Sequence, residues 1–186
     1  MTSQFKKIVR DACKKKSNYF GYGIWTHHIK SVIKYATILA KRLNADSEVV
    51  EIAAIFHDYA SVVDKKLYPK HHIHSAHLAE KILKKYKYPQ PKINRIKECI
   101  ISHRGSINIE KKTIEEQIVA SADAMSHFDH VESLLFLAYT IHKLDIDEGR
   151  VWAIQKLDRS WHKLIPEAKK IIAPKRKHIL ATFKSD

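Results

Sequence analysis

THHIKSVIKYATILAKRL, residues 26–43, carries Ile29, Val32, Ile33, Ala36, Leu39, Ala40 and Leu43 at spacings of three and four, the stripe of a helix with one buried face. Gly21 and Gly23 make a turn before it, and Thr26 stands where an N-cap is expected. The same period runs outward from this segment. Asp46 or Ser47 caps a helix through Val49, Ile52, Ala53, Ile55 and Phe56 to about Ala60, with Glu48 in its first turn. Ser61 to Pro69 reads as a charged loop. Lys70 or His71 to about Lys87 returns to helix, punctuated by Pro89 and Pro91, and Ile93, Ile96, Cys99 and Ile100 carry the next one until Gly105 ends it. Thr113 with Glu116 forms a capping box for a helix through Ile114, Ile118, Val119 and Ala122. An apolar stretch from Val131 to Ile141 follows, then helices over Asp147 to Trp161 and Pro166 to Phe183. No segment alternates as a strand does, and 4 Gly and 5 Pro in 186 residues leave little material for a turn-rich sandwich or barrel. The pattern predicts an all-α bundle of seven to nine helices in a single domain spanning residues 1–186, without a linker, repeat or composition break.

Composition narrows the function classes. Hydrophobic residues at 45% and charged residues at 29% exclude a disordered chain. Cys13 and Cys99 fit no disulfide framework or thiolate metal spacing. No stretch reaches the roughly 18 apolar residues of a membrane span, and residues 1–10 lack an export signal, so the expected location is cytoplasmic. The 34 Lys and Arg against 20 Asp and Glu give a formal charge of +14, a field that draws in anions. These cations show no stripe interleaved with aromatics, so charge alone offers little support for nucleic acid as partner.

The 13 His matter by face rather than by number. His28 precedes Val32 and Ala36 by four and eight, and His57 and Asp58 end an apolar segment. His72 precedes Ala76, Ala79 and Leu83 by four, seven and eleven, while His77 points to solvent; His71 aligns with Ser75, Leu78 and Ile82 and stays open. His103 lies three after Ile100, and Asp123 four after Val119 among small residues. Inward imidazoles and carboxylates on several helices of one bundle suit a divalent metal centre, because a single ion satisfies all of them together.

These residues resemble the HD-domain superfamily of metal-dependent phosphohydrolases, whose pattern is a helix-borne His, an adjacent His-Asp pair and a distant Asp. Here the pattern reads His28, His57-Asp58 and Asp123, in the segments HIKSVIKYATILAKRLNAD, EIAAIFHDYA and VASADAM. The similarity spans about residues 25–128, leaving the helices of residues 131–186 to complete the bundle. The segments YPKHHIHSAHLAEKIL and CIISHRGS resemble the extended form with two further histidines and a second ion; His71, His72 and His74 compete for one of those places, and the face argument selects His72, with His103 for the other.

The resemblance implies one or two divalent ions (Mn, Fe, Co, Ni or Zn, or else Mg) and hydrolysis of a small anionic phosphate ester or anhydride, such as a nucleotide, by a metal-activated water. It implies His28, His57, Asp58 and Asp123 as ligands of the first ion and His72 and His103 as additions for the second. Asp58 doubles as the group orienting the water. Lys65, Lys66, Lys70 and Arg104 neighbour the ligands in sequence; Lys66 and above all Arg104, with its planar fork, are the expected phosphate contacts. Trp25 and Tyr22 either stack a base or pack in the core, and His27, His127 and His130 are candidates for supporting the ligands. Two other readings follow from the same residues: a di-iron oxygenase of HD type, and a nucleotide- or nucleic-acid-binding protein whose centre does no chemistry.

Overall fold

The computed structural model describes residues 2–105 and 109–183, and all regular structure among them is helical. The elements are α1 (Thr2–Cys13), a π-helical segment (Trp25–Ile29) running into α2 (Lys30–Arg42), α3 (Ser47–Phe56), α4 (Tyr59–Val63), a 3-10 segment (Lys65–Lys70), α5 (His71–Lys85), α6 (Gln90–Ser102), α7 (Ile114–Asp129), α8 (Val131–Phe136), a second π-helical segment (Leu137–Ile141), α9 (Ile146–Lys163) and α10 (Pro166–Thr182). The all-α expectation is met; α4 and α8, with five and six residues, are the short pieces.

Helix α7 is the axis. It packs against α2, α3, α6, α9 and α10, and Ala120, Ser121, Ala122 and Ala124 are fully buried along it, because side chains this small let neighbouring helices approach from every side. Asp129 at its end ties three helices together. Its carboxylate accepts from Ser31 Oγ at 2.8 Å and Tyr35 OH at 3.0 Å, and it pairs with Lys34 of α2 and Lys175 of α10.

Several boundaries differ from the sequence reading. Asp46 is the N-cap of α3, accepting from the amides of Glu48 and Val49, but Thr26 caps nothing, since its hydroxyl donates to the Gly23 carbonyl inside the π-helical segment. Thr113 accepts from the Glu116 amide, whereas the Glu116 carboxylate takes the Lys112 amide rather than that of the cap residue. The reciprocal box forms instead at Asp145 and Glu148, starting α9 at Ile146. The loop expected over Ser61 to Pro69 is largely α4 and the 3-10 segment, and α1 buries Phe5, Val9, Ala12 and Cys13 where no helix was read. Trp25 packs in the core and Tyr22 is exposed. Cys13 and Cys99 are both buried and free. Among the described residues no helix is long and apolar enough to cross a membrane.

Candidate metal centre

Asp58 follows the break between α3 and α4, and its two oxygens face different groups. Oδ2 lies 3.3 Å from His28 Nε2 and 3.5 Å from His57 Nε2; Oδ1 lies 3.3 Å from His71 Nε2 and 3.8 Å from His103 Nε2. Asp123 of α7 stands on the far side of His28, with Oδ1 at 3.7 Å from its Nε2. Three overlapping clusters result: His28 with His57 and Asp58, Asp58 with His71 and His103, and His28 with Asp123 and His127.

Hydrogen bonds assign the tautomers. His57 Nδ1 donates to the Ala54 carbonyl at 2.8 Å, His71 Nδ1 to that of Tyr68 at 2.9 Å, and His103 Nδ1 to that of Ile100. Each acceptor lies three residues upstream of a histidine that is the C-cap of its helical segment. Ser126 Oγ donates to the Asp123 carbonyl at 2.7 Å, so its contact with His28 Nδ1 at 2.9 Å has the ring as donor. With Nδ1 committed on all four rings, neutral imidazoles direct four Nε2 lone pairs at one another and at carboxylate oxygens. His28 Nε2 and His57 Nε2 are only 3.0 Å apart. Acceptors at that separation repel unless a cation lies between them, either a proton or a metal ion. This donor set of neutral imidazole nitrogens and carboxylates fits a divalent transition metal.

The electrostatics agree. Burial disfavours a charged Asp58, but His57, His71 and His28 hold its carboxyl well below the usual range; Lys163, His127, His28 and His103 do the same for buried Asp123. Burial keeps His57 low, and it keeps His103 well below 6.5 with His57 and His71 adding to the effect. His28 alone is raised, because Asp58 and Asp123 outweigh its burial. A proton in the metal-free centre therefore belongs on His28.

The structure thus brings together His28, His57, Asp58, His103 and Asp123. It does not bring His72. That ring is buried at the start of α5, as its face required, but its Nδ1 turns to Arg104 at 3.4 Å, and its neighbour His71 reaches Asp58. His71 is the first residue of α5, where side chains tilt toward the helix N-terminus and so back over the 3-10 segment. His74 lies off the centre on α5, and Lys66 is exposed in the 3-10 segment with its amide on Asp64; neither lines the cleft. Arg104 does line it, and its guanidinium also bonds to the Pro69 carbonyl.

Above the centre opens a cleft of about 910 Å³, within the usual range for small-molecule sites. Its wall on the α9 side was not foreseen. Trp152, Lys156, Arg159 and Lys163 recur at four, three and four along that helix and all line the cleft. Lys163 Nζ pairs with Asp123 Oδ2 at 2.8 Å, both side chains 12% exposed. The spacing was the available signal, obscured by basic residues elsewhere in the chain. His127 stacks on His28 with ring centroids 5.9 Å apart, and its Nδ1 meets Ser160 Oγ of α9 at 2.8 Å.

The family model of the HD domain matches residues 25–127. Two solved structures share the fold. A predicted HD superfamily hydrolase from an uncultured Thermotogales bacterium superposes with a TM-score of 0.60 at 19% identity, over 98% of this chain and 92% of that one. Bacillus subtilis YpgQ, in complex with ADP, superposes with a TM-score of 0.69 at 19% identity, over 98% and 93%. No curated protein matches the sequence.

Proposed function

The chain belongs to the HD domain family, and from that premise we propose that it is a metal-dependent phosphohydrolase acting on a small phosphate ester or anhydride, a nucleotide or a related molecule. The observation that carries the reading is Asp58, whose two oxygens each face a pair of Nε2 lone pairs held outward by committed Nδ1 atoms. Such a carboxylate would contribute to both of two neighbouring ion sites. His28, His57 and Asp123 would complete the first site, and His71 and His103 the second. His71 takes the place that the face argument gave to His72.

Bound there, divalent ions supply an activated water and neutralise charge on a phosphoryl group. The chain supplies the rest. Asp58 would orient that water through a carboxylate oxygen. Arg104, at the cleft wall beside His103, would grip phosphoryl oxygens with its planar fork. Lys163 balances Asp123 from the α9 side. The ADP bound to the structurally similar YpgQ supports a nucleotide-sized ligand, as does the cleft volume.

The test pairs metal analysis with turnover. Purified protein is assayed for Mn, Fe, Co, Ni, Zn and Mg beside Asp58→Ala, and both are run against nucleotide and sugar phosphates, reading phosphate and diphosphate separately. We expect bound metal and phosphate release in the parent and loss of both in the variant. Equally low metal in both proteins would sink the proposal, and oxygen-dependent turnover with iron absorbance would replace it with the oxygenase.

A further inference from the structure

The cleft holds more positive charge than the metal centre uses. Of the three cations on the inner face of α9, Lys163 is paired with Asp123. Lys156 and Arg159 line the same cleft, and among the described residues neither has a carboxylate within ion-pair distance. Glu132, also at the cleft, is paired with His130. The acidic neighbour on the helix, Asp158, lies on the outer face with His162. Burial depresses Lys156, with Lys163 and Arg159 adding to the effect against the opposing pull of Asp123. Divalent ions in the centre only add to this excess, so the natural counter-charge is a ligand with more anionic groups than one phosphoryl unit.

The cleft also changes character along α9. Trp152 stands eleven residues before Lys163, about 16 Å along the axis. It forms an aromatic pair with His142, ring centroids 5.1 Å apart, and Phe136 and Leu137 also line the cleft. From the metal centre outward the surface therefore runs from carboxylate and imidazole through uncompensated cations to flat apolar rings.

We propose that α9 is a clamp for a phosphate chain: Lys156 and Arg159 bind a second phosphate group, Trp152 with His142 packs the organic body, and the protein selects esters with two or more linked phosphates over monoesters. This rests on the phosphohydrolase reading and names its substrate class. Monoesters leave Lys156 and Arg159 without a partner inside the cleft, whereas a linked second phosphate meets them with charge-assisted hydrogen bonds.

Two readouts test it on the Mn-loaded protein. Calorimetry measures the Kd of α,β-methylene-ADP, which carries two phosphate groups and resists hydrolysis between them, and kinetics give KM for AMP beside ADP and ATP. In Lys156→Gln and Arg159→Gln, with unchanged melting temperatures as the control for folding, the Kd should rise ten- to a hundredfold while KM for AMP moves less than threefold. Arg159→Lys should recover part of the loss. Equal affinity for one- and two-phosphate ligands, or a Kd indifferent to both substitutions, overturns the clamp even if hydrolysis is robust. Conversely, no phosphate release from any substrate overturns the hydrolase reading, and the binding contrast still decides the clamp.

Discussion

Removing the metal should leave a protein that acid destabilises from the centre outward. Burial holds His103 and His127 well below 6.5 in the fold, whereas in the unfolded chain both titrate near 6.5. As pH falls through 6.5 the unfolded chain takes up protons that the folded one refuses, so stability falls with pH. A histidine still neutral in the fold at pH 5 contributes a loss of about 2 kcal/mol between pH 7.5 and 5. His103 and His127 together give about 4 kcal/mol, with His57 adding in the same direction. His28 offsets part of this above 6.5, where its raised value adds stability to the fold as pH falls from 7.5, and below 6.5 it adds no further slope. Asp58 and Asp123, both lowered, keep their contribution until pH falls through the carboxylate range. For a chain of this length 4 kcal/mol is roughly 10 °C in Tm. The assay is a thermal melt in chelator at half-unit steps from pH 7.5 to 5. His127→Gln should remove about half of the drop. Metal at about a hundred times its Kd should raise Tm at pH 7.5 by roughly 7 °C, and the gain should shrink in acid as protons compete for the same Nε2 atoms. A Tm that stays level or rises on acidification in chelator would refute the assignment of neutral, inward-facing imidazoles.

His71→Ala should weaken binding of the second equivalent of metal in calorimetric titration, whereas His72→Ala should leave stoichiometry intact and lower Tm instead; the opposite pattern would restore His72 to the centre. Ser126→Ala frees His28 Nδ1 from the contact that orients it and should weaken metal binding about tenfold to a hundredfold, read by competition with a chromophoric chelator. Asp129→Ala removes the acceptor shared by Ser31, Tyr35, Lys34 and Lys175; the two lysines are half-exposed and resolvate, so the loss should be about 2–4 kcal/mol, or roughly 5–10 °C in Tm, with metal content unchanged.

What the sequence made legible was whatever repeats. The stripe of α2, the Asp46 cap and the small-residue axis of α7 are periodic or local, and each is where the pattern put it. Phe5, Val9, Ala12 and Cys13 of α1 have the same period, in a twelve-residue helix too short for the stripe to stand out from its polar neighbours. The π-helical turn under His28 had no such signal: five residues of altered hydrogen bonding leave little trace in a hydrophobic pattern. Lys66 is near the candidate ligands along the chain, but the 3-10 segment turns it to solvent. Beside Arg104, the cations that line the cleft, Lys156, Arg159 and Lys163, come from a helix about a hundred residues after the His-Asp pair, and only the packing of α9 on α7 brings them there.

The choice between His71 and His72 exposes the rule behind the centre. Face analysis asks which side of a regular helix a residue occupies, and it selects residues for burial; His72 is indeed buried. Presenting a lone pair is a different requirement, because the ring must also have its other nitrogen satisfied and its tautomer fixed. A helical segment offers that at its C-terminal end, where carbonyls lack an intrahelical partner. His57, His71 and His103 are each the C-cap of the segment before them and each return Nδ1 to the carbonyl three residues back. One local device used three times thus aims three Nε2 atoms, and the negative end of each segment's dipole favours the donating Nδ1–H. Behind His72, one residue inside α5, the carbonyl three residues back is that of Pro69, which accepts from Arg104, and the ring turns to Arg104 as well. The signal for an aimed Nε2 therefore resides where helical periodicity stops, at histidines that cap the C-terminal end of a helical segment, and only secondarily in which face a histidine shares with the core.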